Sequence, residues 1–156
     1  MKKMKMGVIG LGGMGQGHLS RIRQIPELEL VAVADIDSEV TNSVSRQFQV
    51  PGFTDFERLL ESNLVDAVLI ATPHYFHPEI GIEAMHRGIH CLSEKPIAVS
   101  VEAADRFVEA SKRNGIVFGV MHQTRTLPKV RLARKIIREG KLGEIRRTLM
   151  VEPNYR

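Results

Sequence analysis

The stretch Met6-Gly7-Val8-Ile9-Gly10-Leu11-Gly12-Gly13-Met14-Gly15 decides the fold. Its first four residues read as a buried strand, and residues 16–25 beyond it read as a helix. Between them the glycines stand as G-x-G-x-x-G, the spacing of a strand-to-helix turn that holds a dinucleotide. Gly10 permits the tight turn. Gly12 lets backbone amides reach a pyrophosphate, and Gly15 lets the helix pack close to the strand. Phosphates at such a turn sit at a helix N-terminus, where unpaired N–H groups and the macrodipole favour negative charge. Glycine-rich turns also occur without a ligand, so the flanking sequence has to carry the rest.

It does so through a second strand and an acid. Leu28–Ala34 is apolar and rich in β-branched residues, and it runs into Asp35. That carboxylate lies about 20 residues beyond Gly15, the spacing at which an acid accepts hydrogen bonds from an adenosine ribose. Asp35 also suits a turn or a helix cap, but Asp37 and Ser38 are already placed to cap the helix that follows. Asp35 and Asp37 repel the 2′-phosphate of NADP, and no arginine directly follows Asp35. NAD is therefore expected in preference to NADP.

Further along, strand and helix signals alternate. Residues 38–47 read as a helix with Val40, Val44 and Phe48 on one face. Residues 53–54 are extended, and 55–61 form a short helix burying Phe56, Leu59 and Leu60. Residues 66–71 read as a strand buried on both faces. Pro78 suits the first turn of a helix that stops at Gly88. Residues 89–92 are a strand. Ser100 caps a helix with Val101, Ala104, Phe107 and Val108 inward, ended by Gly115, and 116–121 are a strand. This order implies an α/β fold, a doubly wound parallel sheet covered by helices on both faces. It is assigned to residues 1–124.

The rhythm changes in residues 125–156. Pro128 starts a helix with Val130, Ala133, Ile136 and Ile137 inward, ending at Gly140, and 144–151 read as another strand. A lone strand has no partner for its backbone. Either the chain continues into a second, α+β sheet domain, or this strand pairs with another subunit to give a homo-oligomer.

Bulk properties narrow the class. The 156 residues carry a formal net charge of +4 and the composition of a globular domain. No apolar run approaches the ~20 residues that span a bilayer. The basic start is followed by a glycine-punctuated strand rather than a signal segment. A cytoplasmic location with no membrane partner is expected. The single cysteine, Cys91, excludes an internal disulfide and reads as a buried thiol. Lys129, Arg131, Arg134, Lys135, Arg138, Lys141, Arg146 and Arg147 gather near the C-terminus. No aromatics interleave with them to stack bases, so they read as a solvated face or a domain surface rather than a nucleic-acid site.

Four segments together resemble one family. They are Gly10–Gly15; Ala71-Thr72-Pro73 with His77; Glu94-Lys95-Pro96; and Arg125 with Pro128, a helix and Gly140-Lys141-Leu142-Gly143. The chain is similar to the glucose-fructose oxidoreductase, inositol dehydrogenase and rhizopine-catabolism (Gfo/Idh/MocA) family of nicotinamide-dependent oxidoreductases over essentially its whole length. Glu94-Lys95-Pro96 at a strand end is the most specific segment. The resemblance implies a Rossmann domain followed by a sheet domain, and hydride transfer to or from a hydroxyl or carbonyl carbon of a sugar, cyclitol or related polyol.

By the same resemblance, Gly10, Leu11, Gly12, Gly13, Met14 and Gly15 form the pyrophosphate loop, and Asp35 holds the ribose. Thr72, Pro73, His74 and His77 border the cofactor. Glu94 and Lys95 lie near the nicotinamide ribose and substrate. Gln123 stands where the family often has an asparagine against the nicotinamide, and Arg125 is a substrate candidate. Thr126 departs from the aromatic usual after that arginine. The family's catalytic histidine falls beyond Arg156.

Lys95 suits the chemistry as well, since alcohol oxidation needs a group to polarise the oxygen or relay the hydroxyl proton. The competing reading makes it a surface cation paired with Glu94. His74 and His77, with no cysteine or acidic cluster nearby, are a poor metal pair, and no metal is expected. Pro96 sits at a strand-end turn where a cis bond occurs in some proteins, which the sequence leaves open. His18, His86 and His90 receive no role. The leading expectation is the cofactor part of an NAD-dependent sugar or polyol oxidoreductase, inactive alone. The alternative is a stand-alone dinucleotide-binding sensor or regulatory module.

Overall fold

The structure is a computed structural model and describes residues 2–149. Six strands form one sheet: β1 (Met4–Ile9), β2 (Leu28–Ala34), β3 (Gly52–Phe53), β4 (Ala67–Ile70), β5 (His90–Ser93) and β6 (Phe118–Val120). Every neighbouring pair is parallel, in the order β3-β2-β1-β4-β5-β6. The helices between them are α1 (Gly13–Ile22), α2 (Ser38–Phe48), α3 (Phe56–Glu61), α4 (His77–His86) and α5 (Val101–Asn114). This is the doubly wound α/β sheet of a Rossmann-like fold.

The sheet is covered on both sides because its central strands run apolar through their inner residues, 6–9, 30–34 and 67–70. Along β1, β2 and β4 successive side chains go to opposite faces. Ile9, Ala32, Ala34, Val68 and Ile70 pack with Leu59 and Leu60 of α3, with Ile80, Ala84 and Met85 of α4, and with Phe107 of α5. Val8, Val33, Ala67 and Leu69 pack instead with Leu19 and Ile22 of α1 and with Val44 and Phe48 of α2. Phe107 has no exposed surface and stacks at 4.1 Å, centroid to centroid, on Phe118. Cys91 is buried in the same face, and desolvation pushes its thiol up to about 12. It is an inert core residue, as its apolar surroundings in the sequence indicated.

Local signals account for most boundaries. Asp37 caps α2 by accepting from the Glu39 and Val40 amides, and Ser100 caps α5 by accepting from Ala103. Gly115 takes a left-handed conformation (φ +65°) to close α5. The boundaries at Gly10–Gly15 differ from expectation. Helix α1 begins at Gly13, not at residue 16, and Gly12 is its N-cap. The first turn of a helix uses none of its own N–H groups, so the low helix propensity of glycine did not delay the start. Val101 is the second difference. It is largely exposed at the first position of α5, and the inward face runs instead through Phe107 and Ala110.

The chain divides into two compact units between Met121 and His122. In the second unit, α6 (Pro128–Arg138) follows a 3-10 turn, Gln123–Thr126. No residue of α6 is buried, and Ile137 is about half exposed. Of its expected inward face, Val130 and Ile136 are only partly buried, and Ala133 and Ile137 are exposed. The expected strand at 144–151 is also absent from 144–149, which lack regular structure; 150 and 151 lie outside the described residues. The apolar alternation there meets no backbone to pair with among the described residues, and an unpaired segment does not hold a strand.

Candidate functional site

Strands β1, β2 and β4 end together where the chain reverses its direction across the sheet, between β1 and β4. In such sheets the crevice outside these carboxyl ends is the binding position. Here it is a cleft of about 650 Å³. Gly10, Gly12, Gly13 and Met14 line it after β1, Asp35 and Ile36 after β2, and Thr72 and Pro73 after β4. Phe56, Phe76, Glu79 and Ile80 complete the walls.

Four glycines divide the work of the loop. Gly10 has φ +91°, and a Cβ on it would lie 2.6 Å from the Ala71 and Thr72 backbone. A Cβ on Gly15 would overlap the carbonyl oxygen of Gly10, so this residue sets the approach of α1 to β1. Gly12 and Gly13 differ in kind, because nothing lies within 4 Å of a Cβ built on either. Their bareness leaves open space along the start of α1, whose N-terminus has no side-chain cap. Across the cleft, Thr72 Oγ1 is buried with no hydrogen-bond partner. Uncapped amides, open glycines and an orphaned hydroxyl together fit the phosphates and hydroxyls of a dinucleotide.

Asp35 does two jobs. One carboxylate oxygen accepts from the Leu11 amide at 2.6 Å, and the other accepts from the Asp37 amide at 3.0 Å. The acid thereby ties the end of β2 to the glycine loop, and it also forms part of the cleft wall. Leu11 itself is fully buried and acts through its backbone.

The other sequence candidates lie around the cleft or away from it. His74 is exposed and stacks on Tyr75 at 4.5 Å. His77 is buried at the start of α4, with Nδ1 2.9 Å from the Pro96 carbonyl and Nε2 2.9 Å from the Thr72 carbonyl. Neither histidine is among the residues lining the cleft. His77 instead ties the turn after β4 to the turn after β5. Glu94 is also buried. It accepts from His18 Nε2 at 2.7 Å and from the Lys95 amide at 3.2 Å. Lys95 is exposed, forms no ion pair among the described residues and precedes a cis bond to Pro96. Gln123 and Arg125 belong to the second unit, on an exposed 3-10 turn.

Two participants carried weak sequence signals. Ile36 is 93% exposed beside Asp35, and an isolated apolar residue between two acids was the only hint of a wall residue. His18 stands three residues after Gly15 on a helix, where nothing marks its reach to Glu94.

Comparison with known proteins agrees with this geometry. Residues 4–122 match the model of an oxidoreductase family described as having an NAD-binding Rossmann fold. The 2,7-anhydro-N-acetylneuraminate hydratase of Escherichia coli (strain K12) is 35% identical over 89% of this chain and 37% of its own length. An inositol 2-dehydrogenase from Rubrobacter xylanophilus is 36% identical over 73% of this chain and 33% of its own. Among solved structures, the WlbA dehydrogenase from Bordetella pertussis, in complex with NADH and UDP-GlcNAcA, superposes with a TM-score of 0.88 at 30% identity. That likeness covers 91% of this chain and 44% of the other. The chain thus spans well under half the length of each relative. With the loop, the cleft and the matched span in agreement, the chain belongs to the Gfo/Idh/MocA oxidoreductase family and forms its NAD-binding Rossmann fold.

Proposed function

We propose that this chain is the cofactor-binding part of an NAD-dependent oxidoreductase acting on a sugar, cyclitol or related polyol. The observation that carries the reading is the cleft at the ends of β1, β2 and β4, with Gly12 and Gly13 open to it and Thr72 Oγ1 unpaired in its wall. Gly12, Gly13 and Met14 hold the pyrophosphate at the start of α1. Asp35 accepts from the adenosine ribose, and the exposed Ile36 gives an apolar surface to the base. Thr72 offers its hydroxyl from the opposite side. The bound nicotinamide supplies a carbon that accepts or gives a hydride.

The chain's own residues then position and move a proton. Lys95, exposed and free of any carboxylate partner among the described residues, polarises the reacting oxygen and relays its proton. Glu94 and His77 hold the turn that carries it. Gln123 and Arg125 are assigned to the nicotinamide and the substrate on the family resemblance alone. Hydride transfer needs a substrate fixed in line with the nicotinamide. The 156 residues alone are therefore expected to bind NAD but to turn over sugars slowly or not at all.

Calorimetric titration with NAD and NADP tests the cofactor assignment. NAD should bind, with NADP weaker because the Asp35 charge faces the added phosphate. Asp35→Asn keeps an oxygen for the Leu11 amide while removing the charge. It should narrow the NAD-to-NADP affinity ratio about tenfold, equivalent to roughly 1.4 kcal/mol. An unchanged ratio would remove Asp35 from the ribose site. The relatives include proteins named as a hydratase and as an inositol dehydrogenase. Substrate screens should therefore follow products by NMR as well as NADH absorbance, so that a reaction without net redox is also seen.

A further inference from the structure

Glu94 and Lys95 are adjacent and of opposite charge, yet their side chains do not pair. Lys95 is exposed and has no carboxylate within 4.0 Å among the described residues, while Glu94 is 4% exposed and faces the interior. What meets Glu94 there is His18 on α1, whose Nε2–H donates to Oε1 at 2.7 Å, with side-chain exposures of 4% and 6%. The second carboxylate oxygen takes the Lys95 amide at 3.2 Å. An ionised carboxylate inside a protein is costly unless it is paired and hydrogen-bonded. With His18 present, Glu94 is satisfied inside. Without that donor it keeps one long backbone contact, and water becomes the better environment. The cation adjacent to Glu94 in the chain is the exposed Lys95.

We propose that His18 is a positioning residue that holds Glu94 inward and so keeps the Lys95 ammonium without a counter-ion. This rests on the reading in which Lys95 meets the reacting oxygen. A lysine held against a carboxylate offers that oxygen less of its charge and fewer of its three N–H donors. The pair also joins α1, which begins at the glycine loop, to the turn after β5. The cofactor loop and the lysine are thereby fixed to one another through a single buried hydrogen bond.

The test is the acetylation rate of Lys95 with N-hydroxysuccinimidyl acetate. It is followed by peptide mass spectrometry on the 156-residue chain, with the exposed Lys112 of α5 as internal reference. His18→Leu should slow Lys95 relative to Lys112 about two- to fivefold, the range for one exposed ion pair. His18→Gln carries an N–H donor at the reach of Nε2 and should keep the wild-type rate. The double variant His18→Leu with Glu94→Gln has no carboxylate to swing out and should return to it. Glu94→Gln alone should label as the wild type does. A faster rate there would mean that Glu94 already pairs with Lys95, and would overturn the proposal even if His18→Leu does not fold. So would an unslowed His18→Leu, or slowing that persists in the double variant. NAD titration of the same samples reports separately on the cofactor reading, because labelling needs no bound nucleotide.

Discussion

At the scale of single residues, the glycine loop separates glycines that a Cβ would crowd from glycines that face open space. Gly15→Ala forces a methyl into the Gly10 carbonyl and should cost about 3 kcal/mol, seen as a lowered urea midpoint. Gly12→Ala meets nothing within 4 Å, so its stability should stay within about 0.5 kcal/mol of the wild type. Its affinity for NAD should nevertheless fall clearly in calorimetry, because the methyl would stand in the proposed pyrophosphate site. If both variants lost only stability, the loop would be a packing motif and nothing more. The sequence showed the three glycines and Asp35 plainly, since spacing alone defines them. It marked Asp35 as a ribose candidate but not as the acceptor for Leu11, because a contact across strands leaves no local trace. His77 was read as a cofactor neighbour; its ring nitrogens face the carbonyls of Thr72, a cleft-lining residue, and of Pro96.

At the scale of elements, α4 and α5 pack closely through one glycine. Gly81 lets α4 approach so closely that a Cβ there would overlap the Phe107 ring. Gly81→Ala should therefore destabilise the fold by about 2 kcal/mol. Phe107→Leu should cost about 1 kcal/mol alone. Combined with Gly81→Ala it should cost less than the sum, because the smaller side chain vacates the clash. A double-mutant cycle in urea reads that coupling, and strict additivity would show that the two residues do not press on one another. Element order and type were legible from apolar runs and caps, and the strands of the sheet centre were found within a residue or two. The failures share one cause. Val101, the expected inward face of α6 and the segment at 144–149 all carry apolar patterns that predict burial. A pattern states what a segment is able to bury, not whether a neighbour is there to cover it.

At the scale of the molecule, order is unevenly distributed between the two units. Strand β4 of the first is buried throughout and paired on both sides, whereas α6 has no buried residue. An isolated helix of that length is marginal in water. Amide exchange followed by mass spectrometry should show β1 and β4 protected to near the global unfolding free energy. Residues 128–138 should exchange orders of magnitude faster. Equal protection would mean that α6 is held by contacts outside those described. The sheet itself has a further property. Its longest strands, β1 and β2, stand inside it, while the strands at its two margins, β3 and β6, hold only two and three residues. Each margin therefore exposes too few free backbone groups to seed strand addition by another chain. That brevity guards the molecule against amyloid-like growth and closes the sheet to lateral extension.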